Sequence, residues 1–216
     1  MLFKRNQVEE AISGVLKTQS RKPSSGLRTR LKRLLDTDRA LGRALRSKDP
    51  ELANYAFYSD EAPGSGVEVW FSEYEAFALL IALHLMGHGW PQSFVVSLMR
   101  RVRPEMEAQH SRILKQNPTW LFDQEEIRRN ARAGDMAFDN RDPVLLTIVS
   151  KSAATTNEQQ EVYDFAVCRG SRDAMRFAWG ASGGRGALTM FELATLAHQF
   201  SHALAQTLPR SRGRGG

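Results

Sequence analysis

Nine residues near the amino end could together bind a polyanion: Lys4, Arg5, Arg21, Lys22, Ser25, Arg28, Arg30, Lys32 and Arg33. The run LRTRLKRLL places Leu27, Leu31, Leu34 and Leu35 within one sector at about 100° per residue. Thr29, Lys32 and Arg33 then point the opposite way, with Arg28 and Arg30 on the flanks. Phosphate contact needs cations on a rigid frame, and a helix anchored by its leucines supplies one. Lys4, Arg5, Arg21 and Lys22 are the flanking contacts, and Ser25 is placed to donate to a phosphate at the helix start. An arginine reading a guanine edge in the major groove suits this helix, though no feature selects one residue for it. The competing reading is a solvated helical face that binds nothing.

Other side chains with chemical potential point to structural roles. His84 and His88 are four residues apart, as are His198 and His202, which puts two imidazoles on one helix face. A zinc site needs further ligands, and neither pair has a cysteine or an acidic partner at ligand spacing, so no metal is expected. Gly180-Ala181-Ser182-Gly183-Gly184 matches the G-x-S-x-G pattern of a nucleophile elbow after an expected strand. An elbow serine sits immediately before its helix, whereas the helix signal here starts at Thr189. The segment therefore reads as a flexible strand-to-helix loop, with an anion cradle of backbone N–H groups as the alternative. No catalytic residue and no cofactor are expected. Cys168 reads as a small buried hydrophobe.

Composition narrows the class. A chain of 216 residues holds one large or two small domains, and a hydrophobic share of 42% is enough for a core. A lone cysteine leaves no intrachain disulfide and suits a reducing cytoplasm. The opening MLFKRNQVEEAI lacks the apolar region of a secretory signal. The most apolar run, Ala76 to Met86, is too short to span a bilayer and carries His84. A cytoplasmic protein is expected. Residues 1–50 carry 13 Lys/Arg against 5 Asp/Glu, whereas residues 51–100 carry 1 against 6. A basic block beside an acidic one points to a polyanion-facing surface at one end of the molecule. Aromatics do not alternate with the cations there, which argues against a single-strand stacking platform.

The elements that would position the cations follow from spacing and breakers. Val8, Ile12 and Leu16 predict a first helix. Pro23 and Gly26 break the loop before the basic helix, which Ser24 or Ser25 can cap. Asp36-Thr37-Asp38 reads as a stop and a fresh cap for a helix over RALGRALRSK. YAFYS and VEVWF, separated by DEAPGSG, predict a β-hairpin. Ser72 and Glu75 form a capping box for a buried helix that Gly87 or Gly89 ends. A helix PQSFVVSLMRRV follows, then a short separate one, PEMEAQHSRILKQ. In the second half PVLLTIVS, EVYDFAVC and AMRFAWG predict three strands. LTMFELATLAHQFSHALAQTL predicts a long helix with a Thr189–Glu192 capping box and a stripe of Met190, Leu193, Ala197, Phe200 and Leu204. The expected class is α+β: residues 1–117 a mostly helical winged helix-turn-helix with a two-stranded wing, residues 118–209 a three-stranded sheet plus long helix, and 210–216 a flexible basic tail.

Phe71-Ser72 and Gly89-Trp90, with Val95 and Leu98 following and the Leu27-Arg28 pair in the basic helix, resemble the DNA-binding domain of the MerR family of transcription regulators. The resemblance covers residues 1–117 and is specific over 67–100. It implies a regulator gripping double-stranded DNA through the second helix, acting as a homodimer. The C-terminal α+β unit would serve as the dimerisation element, with its long helix as the seam, or sense a small-molecule or protein effector. Val69 stands beside Glu68 where the family carries an arginine. That substitution favours the alternative, a winged-helix module that binds protein rather than DNA.

Overall fold

Residues 73–87 carry apolar side chains around almost the whole helical circumference, and such a helix is stable only where protein surrounds it. The helix they form is central. In the computed structural model, which describes residues 1–16, 22–64, 67–118, 125, 129, 143–153, 160–183 and 186–209, every residue from Tyr74 to Leu83, and Leu85, is buried. The elements run β1 (Leu2–Lys4), α1 (Arg5–Val15), α2 (Ser25–Leu41), α3 (Pro50–Ala53), β2 (Trp70–Ser72), α4 (Glu73–Gly87), α5 (Gln92–Leu114), β3 (Val144–Ala153), β4 (Gln160–Arg169), α6 (Gly170–Ser182), β5 (Ala187–Glu192) and α7 (Leu193–Ala205). The class is α+β, with one two-stranded and one three-stranded sheet. Two compact units form, Met1–Glu107 with Gln199–Gly216, and Ala108–His198. Among the described residues no helix is long and apolar enough to cross a membrane.

The first unit packs around α4. Val8 and Ile12 of α1, Leu27, Leu31, Leu34 and Leu35 of α2, and Val95, Val96, Leu98 and Met99 of α5 are all buried. Each such side chain contributes about 1.5–3 kcal/mol relative to exposure. Helix α4 starts as its sequence requires: Ser72 Oγ accepts from the Glu75 N–H at 3.2 Å, and Glu75 Oε2 accepts from the Ser72 N–H at 2.6 Å. Past its end Gly89 adopts φ 91°, a left-handed conformation that glycine reaches without a Cβ penalty. The residues after α7 also belong to this unit. Gln7 Nε2 donates to the Thr207 carbonyl at 3.2 Å, and the Phe200 ring lies 6.4 Å from Phe77.

Three expectations for this unit are corrected. The two-stranded sheet is not a YAFYS–VEVWF hairpin: β2 pairs with the N-terminal strand β1, antiparallel, with Phe3 opposite Phe71. YAFYS is buried from Tyr55 to Tyr58 but is not a strand. Its polar backbone is satisfied by side chains instead of a neighbouring strand. The Asp38 carboxylate accepts from the N–H groups of Ala56 (3.1 Å) and Phe57 (3.0 Å), while Arg103 Nη1 donates to the carbonyls of Tyr55 (2.9 Å) and Tyr58 (2.6 Å). That use of Asp38 explains the second correction. The residue neither ends α2 nor caps a new helix, so α2 continues to Leu41 and stops at Gly42, φ 62°. Third, Pro104 does not divide α5, which runs unbroken from Gln92 to Leu114. A proline costs one N–H and crowds the preceding turn, and this long helix absorbs the loss.

Asp38 and Arg100 form the most buried ion pair among the described residues. Arg100 is 1% exposed and Asp38 0%. Arg100 Nε donates to Asp38 Oδ1 at 2.7 Å, and its Nη2 donates to the carbonyls of Asp38 (2.7 Å) and Gly42 (2.8 Å).

In the second unit the strand order is β4-β3-β5, all antiparallel. The segments PVLLTIVS and EVYDFAVC are strands as expected. AMRFAWG is helical, within α6, because burial falls on Ala174 and Ala178, one helical turn apart, rather than on alternate residues. The third strand is Ala187–Glu192, drawn from the segment expected to begin the last helix. Glu192 therefore is not the third residue of a capping box. It caps α7 itself, its carboxylate accepting from the N–H groups of Ala194 (2.9 Å) and Thr195 (2.7 Å). Of the expected apolar stripe, Leu193, Ala197, Phe200 and Leu204 are buried within the chain, whereas Met190 belongs to β5 and is exposed.

Replacing Arg100 by alanine leaves a buried carboxylate without its cation and the carbonyls of Asp38, Gly42 and Glu51 without its donor groups. The expected loss is about 3–5 kcal/mol, read from the midpoint of urea unfolding. An unaltered midpoint would show that the pair holds nothing together.

Candidate nucleic-acid interface

Helix α2 carries the densest group of candidate cations. Ser24, not Ser25, is its cap, accepting from the Leu27 N–H at 3.1 Å. Ser25 is exposed in the first turn, its carbonyl accepting from Thr29 Oγ1 at 2.9 Å. With the four leucines buried, Arg28, Arg30, Lys32 and Arg33 are all exposed. The helix is also braced from α5, where Gln92 Nε2 donates to Thr37 Oγ1 at 2.6 Å and to the Arg33 carbonyl at 3.3 Å. A long arginine side chain on such a frame costs less ordering entropy on binding than one on a mobile loop.

The candidates divide by electrostatic partner. Glu9, on α1, holds Arg5 Nε at 2.8 Å and Arg28 Nε at 3.3 Å. Lys4 pairs with Glu68 at 3.1 Å and lies 5.0 Å over the Trp70 ring. Arg30, Lys32 and Arg33 have no ion pair among the described residues. The one carboxylate on their side of the helix, Asp36, is engaged by Arg39 at 3.1 Å. Lys22 is exposed just before the helix, and Arg21 lies outside the described residues. Arg46 and Lys48 are exposed on the stretch after α2 and add two cations that the sequence reading passed over. Their signal was present, since both belong to the basic first fifty residues, but an expected helix there disguised an irregular, solvated stretch.

Among the described residues no group of three or more His, Cys, Asp or Glu is placed to hold an ion. His84 has its pKa lowered by burial and by the neighbouring His88 charge. His198 lies near enough to His110 for their charges to interact. Burial, then the His198 charge, pushes the His110 pKa down to about 4. Burial lowers His198 too, against the opposing pull of Glu192 and a hydrogen bond to the Ile113 backbone. Nothing in the sequence spacing of residues 110 and 198 signals that pairing. Ser182 is no elbow nucleophile either. It is the last residue of α6, its hydroxyl donating back to the Ala178 carbonyl at 2.7 Å. Gly183, φ 56°, closes that helix, and Cys168 is buried in β4.

No protein-family model, curated protein or solved structure matches the chain.

The His110 shift sets a pH dependence. A histidine with a folded pKa near 4 and an unfolded value near 6.5 takes up its proton first in the unfolded chain. Stability is therefore intact above about pH 6.5 and falls as pH drops toward 4, by up to about 3 kcal/mol from this group. Urea midpoints at pH 7.5 and 4.5 should show the fall, and His110→Phe should flatten it. Equal slopes in parent and variant would remove His110 from the account.

Proposed function

We propose that the protein binds double-stranded DNA through the exposed basic face of α2, as a MerR-like transcription regulator. The observation that carries this reading is the set Arg30, Lys32 and Arg33. These are three cations on a leucine-anchored helix, without ion pairs among the described residues. Phosphate binding is driven by release of condensed counterions, and a cation already held by a carboxylate contributes little to it. Arg28, Arg5 and Lys4 are thus secondary contacts, whereas Lys22, Arg46 and Lys48 extend the basic surface. The pairing of β1 with β2, each leading directly into a helix, supplies a stiff base for α1 and α4 in this reading. Action as a homodimer on a two-fold site, within the cytoplasm, belongs to the same proposal.

One observation favours the second reading, a protein-interaction module. Glu9 and Glu68 already hold three of the eight candidate cations, which lowers the positive potential at the surface. The two readings differ in salt dependence. In the DNA reading, the logarithm of affinity for a random-sequence duplex falls linearly with the logarithm of salt, by about 0.9 per phosphate contacted. Joint replacement of Arg30, Lys32 and Arg33 by alanine should lower that slope by about 2 to 3. Glu9→Gln, which releases Arg28 and Arg5, should tighten binding at low salt. A triple variant with the parent slope would transfer the case to the protein-binding reading.

A further inference from the structure

We infer that the cleft between α6 and strands β3 and β5 is a binding site for a small neutral aromatic molecule, of the size of a substituted benzene or an indole. It lies wholly in the second unit and is independent of the α2 reading. Its volume is about 160 Å³. An apolar cavity of about 150 Å³ accepts benzene, and this cleft is open at its rim, where a second ring or a substituent can extend.

The lining defines the chemistry. Val149 and Leu188 form the sheet side, Ala178 and the Ser182 hydroxyl the helix side, and among the described residues no ionisable side chain borders the space. Against these side chains a charged ligand would lose its hydration without gaining a partner. Small residues create the space. Ala178 is buried where a larger side chain would fill the slot. At the end of the cleft a Cβ on Gly186 would come within 2.6 Å of the Ser150 carbonyl and 3.0 Å of Val149 Cγ1. Only glycine lets the chain close against the sheet there. Trp179 and Met175 stand at the mouth, 62% and 41% exposed. An indole and a thioether are the side chains that gain most from a flat aromatic guest, through ring stacking and sulfur–ring contact.

Area decides between this occupant and a second copy of the chain. The exposed apolar side chains here, Trp179, Met175, Leu188 and Met190, leave a patch on the order of a few hundred Å². A stable dimer needs about 800 Å² from each partner. A single small molecule is matched to the cleft, and a protein partner is not.

The test uses the full chain, with indole as the neutral probe and benzoate as the charged one. The Trp179 indole N–H resonance, assigned by its loss in Trp179→Phe, should shift saturably with indole. Benzoate should bind at least tenfold more weakly. Ala178→Leu fills the slot and should abolish the shift. Leu188→Glu, at a rim position already 38% exposed, keeps the core and should weaken indole at least fivefold, so the answer does not depend on Ala178→Leu folding. A non-saturable shift, equal binding of benzoate, or parent-like affinity in Leu188→Glu would overturn the site. So would a Trp179 resonance that moves on dilution together with a change in sedimentation, because a second copy would then be the occupant. DNA binding should persist in both variants, which separates failure here from failure of the α2 reading.

Discussion

The first unit depends on one buried ion pair, Arg100 with Asp38. A charge moved from water into protein loses several kcal/mol of hydration, and attraction to a single counterion seldom returns all of it. Here each ion does more than meet the other. The Asp38 carboxylate accepts from the N–H groups of Ala56 and Phe57, and Arg100 donates to the carbonyls of Asp38, Gly42 and Glu51. Five backbone groups are thereby satisfied. The stretch from Gly42 to Tyr58 can follow an irregular path under α2 and α5 because the side chains of those helices replace a strand partner. Arg103 repeats the device one helical turn along, reaching Tyr55, Tyr58 and Ser59, while Glu75 joins the same network through Ser59.

That network also marks where reading the sequence succeeds and fails. Local signals were legible. The leucine sector of α2, the Ser72–Glu75 box, the left-handed Gly89 and strands β3 and β4 all follow from spacing within a few residues. YAFYS was misread because a buried β-prone run has the same composition whether its amides meet a strand or a carboxylate 18 residues away. Asp38 was misread for the complementary reason: an aspartate near a helix end usually caps, and only its distant partner, Arg100, reveals otherwise. In the second unit AMRFAWG is a short, largely apolar run with two aromatics, a composition that suits a strand. Yet its two alanines, one turn apart, let it pack closely on the sheet, and that is a tertiary fact. Of the candidate interface, the exposed cations could be named from sequence, but their pairing with Glu9 and Glu68 could not.

The basic face of α2 and the cleft beside α6 rest on opposite uses of small and charged residues. On α2 long cations extend from a rigid helix, and their value lies in what does not neutralise them. Beside α6 it is the shortness of Ala178 that leaves an apolar wall unfilled, while Gly186 lets the chain close against the sheet. Each arrangement leaves a physical debt within the folded chain, like charges held near one another in one case and an indole in water in the other.

The hydrogen bond from Gln7 to Thr207 closes the first unit with residues separated by nearly the whole chain. During synthesis, α1 and α4 would emerge long before Phe200 and Thr207, so Gln7 and Phe77 wait for those partners until the second unit has been made. A ribosome halted anywhere in the second unit would release a first unit missing one wall, with the basic helix presented by an incomplete core.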